Sequence, residues 1–193
     1  MRNLSLLLLV LMAGSLQGCF PVVATGVGTG VMMAQDRRSN SVFIDDEKIE
    51  IKAMDIIGKQ IKADIHVNVT SYNRKVLITG EVPDESILSE ISKIVTDIER
   101  VVSVNNELVV APNSSLASRS NDSLITTNVK LRMMKDDRFS EKSFSANHVK
   151  VVTENGTVFL SGIVDRAEAA AAADVASGTT GVKRVVKLFE YFD

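Results

Sequence analysis

The chain has 193 residues, of which 45% are hydrophobic and 24% are charged, so its composition is that of a globular protein and not of a disordered one. A net charge of −2, an aromatic content of 5% and the absence of tryptophan argue against nucleic-acid binding, which relies on basic surfaces and stacking platforms. This length suits one or two domains, and small domains of about 70 residues are marginally stable alone.

Residues 1–18 have the pattern of a signal peptide. One positive charge at Arg2 precedes an apolar run from Leu4 to Ala13, which is too short to span a bilayer. The next residues, Leu16 to Cys19, resemble the lipobox of bacterial lipoproteins, and Cys19 is the only cysteine in the chain. The resemblance implies that Cys19 is acylated after cleavage, whereas the alternative is an ordinary signal peptide beside a free cysteine.

The residue after this cysteine bears on localisation. In enterobacterial lipoproteins an aspartate there resembles a retention signal for the inner membrane, and this chain has Phe20 instead. The resemblance therefore implies a lipid-anchored protein of the outer membrane that faces the periplasm.

One short stretch occurs twice. Residues 76–82 read Val-Leu-Ile-Thr-Gly-Glu-Val and residues 158–164 read Val-Phe-Leu-Ser-Gly-Ile-Val, and the similarity extends in both directions at a nearly constant offset. Such self-similarity indicates an internal repeat. We predict an anchor and tether over 19–43, a first domain over 44–111, a linker over 112–121 and a second domain over 122–193.

The first copy predicts five elements. Asp45-Asp46-Glu47 opens a helix that runs to about Gln60, with Asp46 as its N-cap, because acidic residues suit a first helical turn. Alternation predicts a strand at 65–70, and the turn that follows leads into a second strand at 75–82. An apolar stripe at helical spacing predicts a helix from Pro83-Asp84-Glu85, and a third strand covers 101–110.

The second copy predicts the same order. Asn121 or Asp122 caps a helix, strands follow at 149–153 and 157–164 around an Asn-Gly turn, and Asp165 with Glu168 forms a capping box before an alanine-rich helix that ends near Gly178. The last strand covers 182–192.

The fold class is therefore α+β, with two α-β-β-α-β domains. Each domain has a three-stranded mixed sheet, because a hairpin joins the first two strands while a helix joins the second strand to a parallel third. Gly80 and Gly162 occupy equivalent positions, and we predict that they allow close strand–helix packing.

The sequence lacks recognisable catalytic motifs. His66 and His148 begin equivalent strands, and without cysteines or an evident carboxylate pattern they predict no metal site. No nucleophile elbow, paired catalytic carboxylates or cofactor motif is evident, so we predict neither an enzyme nor a bound cofactor.

Taken together, the lipobox and the repeat resemble the dual BON-domain lipoproteins of Gram-negative bacteria. The resemblance depends on a set of short motifs, which are individually weak: residues 36–39, 45–46, 68–70, 121–122, 125–127, 153–156 and 181–185. It implies a protein that binds anionic phospholipid, notably phosphatidylglycerol, through the first helix of its second domain, and that supports envelope integrity at division sites.

The candidate lipid-binding residues lie on that helix. The resemblance and the helical spacing select Leu124, Thr127, Asn128, Lys130, Leu131 and Lys135. The family has an aromatic residue where Leu124 stands, so an interfacial anchor is missing here. Charge also favours the second domain, because residues 44–112 carry a net charge of −5 and residues 118–193 a net charge of +1.

Two alternatives remain open at this point. In the first alternative, Leu124 and Leu131 pack against the other domain and do not contact lipid. In the second alternative, the protein is a periplasmic interaction module that docks an envelope-assembly or cell-wall partner.

Overall fold

The computed structural model describes residues 36–139 and 144–192, so the predicted signal peptide and Cys19 lie outside the described residues. These residues form two domains in sequence order, and the predicted α+β class is confirmed. The elements are α1 (Asn40–Gln60), β1 (His66–Tyr72), β2 (Lys75–Val82), α2 (Glu85–Thr96), β3 (Ser103–Val110), α3 (Leu116–Lys135), β4 (Lys150–Glu154), β5 (Thr157–Val164), α4 (Arg166–Ser177) and β6 (Arg184–Tyr191). Among them, no helix combines the length and the apolar character needed to cross a membrane.

Both sheets have the predicted mixed topology. The central strand β2 pairs antiparallel with β1 and parallel with β3, and β5 pairs in the same way with β4 and β6. The repeated stretch of the sequence is therefore the middle strand of each sheet.

Each domain has its own hydrophobic core. The middle strands place Val76 and Ile78, or Val158 and Leu160, beneath the helices with no exposed surface. Ala172 in α4 is equally buried, because alanines allow a helix to lie close to the sheet.

The first helix of each domain begins earlier than predicted. Ser39 caps α1 and Ser115 caps α3, each by accepting a backbone N–H from the first turn. The predictions of Asp46, and of Asn121 or Asp122, as N-caps are therefore wrong. Ser, Asp and Asn are comparable caps, so residue type alone did not distinguish them.

The two aspartates instead hold the hairpin turns. Asp46 is buried in α1 and accepts backbone N–H bonds from Asn73 at 2.8 Å and Arg74 at 2.6 Å. Asp122 makes the equivalent bonds, at 3.0 and 2.8 Å, to the predicted Asn-Gly turn. Both residues of each turn have positive φ, so their N–H groups lie together and one carboxylate binds them both.

The remaining helix boundaries match the sequence signals. Asp84 caps α2, Asp165 and Glu168 form the predicted capping box at the start of α4, and Gly178 is the C-cap of that helix.

The two repeated glycines have a different role from the predicted one. A Cβ on Gly80 would lie 1.9 Å from the His66 carbonyl oxygen, and one on Gly162 would lie 2.5 Å from that of His148. Gly80 also has a φ of +125°, which disfavours other residues. The glycines therefore accommodate the backbone at or just before the start of the neighbouring hairpin strand, and the prediction that they serve strand–helix packing is wrong.

The residues just before α1 contact both domains. Arg38 stacks on the ring of Tyr72 at 4.2 Å and bonds to Asp46 at 2.7 Å, both in the first domain. Arg37 forms a bidentate pair with Glu168 of the second domain, at 2.6 and 2.7 Å. Such pairs restrict geometry more than a single contact does.

Candidate functional site

Helix α3 is apolar on two opposite faces. Ile125, Val129 and Met133 are buried against the second-domain sheet and α4. At about 100° per residue, the opposite face carries a second row of large apolar residues. Packing against the core accounts for one apolar face of a helix, whereas a second apolar face that is exposed to solvent indicates a binding surface.

The predicted lipid-binding residues lie on or beside this outer face. Leu124 is 62% exposed and Leu131 is 46% exposed, so the alternative in which they pack against the first domain is wrong. Thr127, Asn128 and Lys135 are exposed between and beside them, and Lys130 is exposed at one edge.

Two further apolar residues extend the row. Leu116 is 78% exposed and Met134 is 70% exposed, and the helical period places both on the side of Leu124 and Leu131. We call Leu116, Leu124, Leu131 and Met134 the apolar row. Leu116 falls within the predicted linker over 112–121 and is therefore not among the predicted site residues, although Ser115 is a good cap signal.

Arg132 and Lys130, two cations beside the row, have different surroundings. Arg132 donates a hydrogen bond to the Gly178 carbonyl oxygen, which caps the end of α4. Lys130 has a pKa below its usual value, because its ammonium group is partly desolvated and Lys150 adds a second positive charge nearby. A negatively charged ligand beside Lys130 would reduce that repulsion.

Polar contacts join the two domains. Lys150 bonds to Glu50 of α1 at 2.8 Å, and Glu190 accepts from Asn73 at 2.9 Å and pairs with Lys75 at 3.0 Å. These contacts are made by α1, the β1–β2 hairpin, β4 and β6 and not by α3, and the apolar row on α3 is exposed.

A second cluster lies at the same junction. His66 pairs with Glu81 across the hairpin of β1 and β2, and Glu154 reaches the histidine from the second domain. The sequence shows no carboxylate pattern near His66, but the fold brings two carboxylates to its side chain. Folding brings together residues that are 15 and 88 positions from the histidine, which spacing alone does not show.

The two carboxylates of this cluster differ electrostatically. Burial alone would raise the pKa of Glu81, but hydrogen bonds from Asn155 and His66 outweigh it and hold that pKa below its usual value. Burial and the charge of Glu81 raise the pKa of Glu154, against the lowering effect of a hydrogen bond from Asn68.

Comparison with known proteins identifies the domains. The BON domain model matches residues 45–112 and again residues 121–191. The chain is 43% identical over 180 residues to the outer membrane lipoprotein DolP of Haemophilus influenzae. The aligned region covers 92% of this chain and 91% of that protein. The predicted resemblance and the predicted outer-membrane localisation are thereby confirmed.

Two other relatives are more distant. The chain is 35% identical over 158 residues to a 21 kDa hemolysin of Actinobacillus pleuropneumoniae, with 81% of this chain and 79% of that one covered. It is 31% identical over 148 residues to the osmotically inducible protein Y of Escherichia coli, with coverages of 74% and 71%. None of the three names denotes an enzyme.

Proposed function

Because the chain belongs to the BON-domain family and is similar to an outer-membrane lipoprotein over nearly its whole length, we propose that its second domain binds anionic phospholipid. Phosphatidylglycerol is the expected ligand, and support of envelope integrity at division sites is the expected role. The observation that carries this proposal is the apolar row on α3.

The length of the row suits a membrane surface. From Leu116 to Met134 it extends about 27 Å, at about 1.5 Å per residue. A helix lying in the membrane interface inserts one apolar face to the boundary of headgroups and acyl chains. The four side chains of the row would enter this boundary while the buried face keeps its contacts with the second-domain core.

The charges beside the row favour an anionic headgroup. Lys130 and Lys135 are exposed near Leu131, where they would meet phosphate oxygens. The net charge of −5 on residues 44–112 disfavours the approach of the first domain to the same membrane. Charge therefore favours an orientation in which the second domain faces the lipid.

Acylation of Cys19 is part of the same proposal. Two or more acyl chains hold a protein firmly on a bilayer, whereas one does so only marginally. Asp36 lies 17 positions after Cys19, a separation of at most about 60 Å, so the anchor would keep α3 near the membrane at a high effective concentration. At that effective concentration, even a weak interaction between α3 and lipid would be sufficient to keep α3 on the membrane surface.

Site-specific quenching tests this orientation. The fragment 20–193 contains no cysteine, so Leu124→Cys and, as a matched control on α1, Ile51→Cys each provide one labelling site. With a fluorophore on the cysteine and nitroxide lipids in phosphatidylglycerol vesicles, we expect quenching at position 124 and little at position 51.

Other outcomes would argue against the proposal. Equal quenching at both positions would contradict an orientation through α3. No quenching at either, together with crosslinking of the same face to an envelope protein in cells, would favour the interaction-module alternative.

A further inference from the structure

The cluster of His66, Glu81 and Glu154 has the donors of a metal site. His66 Nδ1 lies 2.9 Å from Glu81 Oε2 and 3.8 Å from Glu154 Oε1, and one ligand atom of each residue lies within 4.8 Å of the other two. The three side chains are 13%, 3% and 9% exposed. Imidazole nitrogen and carboxylate oxygen together suit first-row divalent ions, zinc among them.

Surrounding hydrogen bonds hold the far oxygens of both carboxylates. Asn155 donates to Glu81 Oε1 at 2.6 Å, and Asn68 donates to Glu154 Oε2 at 3.1 Å. The other oxygen of each carboxylate is the one that faces His66. Metal ligands are oriented in this way, with one atom on the ion and the other held by an outer partner.

The remaining contacts are compatible with a ligand role. The Ser114 N–H donates to Glu81 Oε2 at 3.2 Å, and the Ser114 hydroxyl lies 3.4 Å from His66 Nδ1. His66 Nε2 lies 3.3 Å from the Asn68 side-chain amide, which holds the ring in place. Without an ion His66 Nδ1 donates its proton to Glu81 Oε2, so a cation that binds at Nδ1 would replace and release that proton.

Small movements would suffice to bind an ion. Zinc ligands lie about 2.0–2.2 Å from the ion, which places tetrahedral neighbours about 3.4 Å apart. The present separations of 2.9 and 3.8 Å lie on either side of that value. A cavity of about 330 Å³, lined in part by His66, Asn68 and Glu154, provides access and room for a water as fourth ligand.

We propose that His66, Glu81 and Glu154 bind a divalent transition-metal ion, with zinc as the probe. The positive charge of the ion would offset the repulsion between the two buried carboxylates of Glu81 and Glu154. His66 and Glu81 belong to the first domain and Glu154 to the second, so the metal would also bridge the domains. This proposal is independent of the lipid surface on α3.

The test is zinc binding to the metal-free, mature acylated protein in detergent micelles, measured by titration calorimetry and by thermal unfolding. We expect one ion per chain, and a rise in Tm of about 5 °C or more at a hundredfold excess over Kd. Glu154→Gln and His66→Gln should each weaken binding more than about tenfold. Glu190→Gln is the matched control, because Glu190 also pairs across the junction but lies outside the cluster.

Three results would overturn the proposal. One is the absence of saturable zinc binding to the wild-type protein. Another is binding that survives Glu154→Gln, whose fold is checked by circular dichroism and whose side chain has nearly the same shape. The third is equal loss of binding in Glu190→Gln, which would indicate a general effect of the junction.

Discussion

Charging the apolar row is the most informative perturbation of the lipid surface. In the variant Leu124→Glu/Leu131→Glu, both substituted side chains lie on the outer face of α3, at 62% and 46% exposure, so the core is left intact. Full burial of a leucine contributes about 2 kcal/mol, and scaling by these exposed fractions gives about 2 kcal/mol for the pair.

The new charges add to this loss. Each glutamate facing an anionic membrane costs about 1 kcal/mol, by analogy with the attraction of one lysine. The total of about 4 kcal/mol predicts binding roughly a thousandfold weaker. Binding is measured by co-sedimentation of fragment 20–193 with phosphatidylglycerol vesicles, at several lipid concentrations and with circular dichroism as the check on folding.

A matched control separates position from charge. Ile51→Glu/Val102→Glu introduces the same two charges at first-domain positions that are 68% and 67% exposed. We expect this control to weaken binding less than about tenfold, because its charges lie away from the proposed contact. A loss below tenfold in the α3 variant, or an equal loss in the control, would refute the assignment of the surface.

Three further predictions concern charge, backbone and acid stability. Lys130→Gln/Lys135→Gln should weaken binding to the same vesicles about tenfold or more and reduce its salt dependence, whereas unchanged salt dependence would exclude these lysines from the contact. Gly80→Ala should lower the free energy of unfolding, measured in urea, by more than about 2 kcal/mol, because the added Cβ would meet a carbonyl oxygen. The control Gly58→Ala places its Cβ in open space on α1, so it should leave the free energy of unfolding unchanged or raise it by up to about 1 kcal/mol. Equal effects of the two substitutions would contradict this account. Asp45 has a pKa held below its ordinary 3.8, first by a hydrogen bond from Arg100, so the stability that it contributes is present above that pH and is lost as pH falls through the folded-state pKa. The stability difference between wild type and Asp45→Asn, measured in urea, should therefore narrow below about pH 4, and a constant difference would contradict the assignment.

Local periodicity predicted most of the fold. Alternation along β1, the apolar runs of β2 and β5 and the capping box at Asp165 depend on neighbouring residues, so they are readable without tertiary structure. The helix starts were not readable in this way. Asp46 and Asp122 look like N-caps in isolation, but each binds a hairpin turn about 30 residues away.

The candidate lipid surface was partly predictable for the same reason. Leu124 and Leu131 share a helical face at any register of the helix, and the structure shows them exposed. Leu116 joins them only because α3 begins at Ser115, which a polar linker composition concealed. The His66 cluster was not predictable, because Glu81 lies on a neighbouring strand and Glu154 in the other domain.

Flotation of fragment 20–193, which lacks the cysteine that would be acylated, tests the central claim most directly. Vesicles with and without phosphatidylglycerol are compared at low and moderate salt. Intrinsic recognition of anionic lipid predicts flotation with phosphatidylglycerol alone, weakened as salt screens the headgroup charge. Absence of flotation at both salt concentrations would contradict the account, because membrane contact would then depend on the acyl anchor and the domains would act as a platform for proteins.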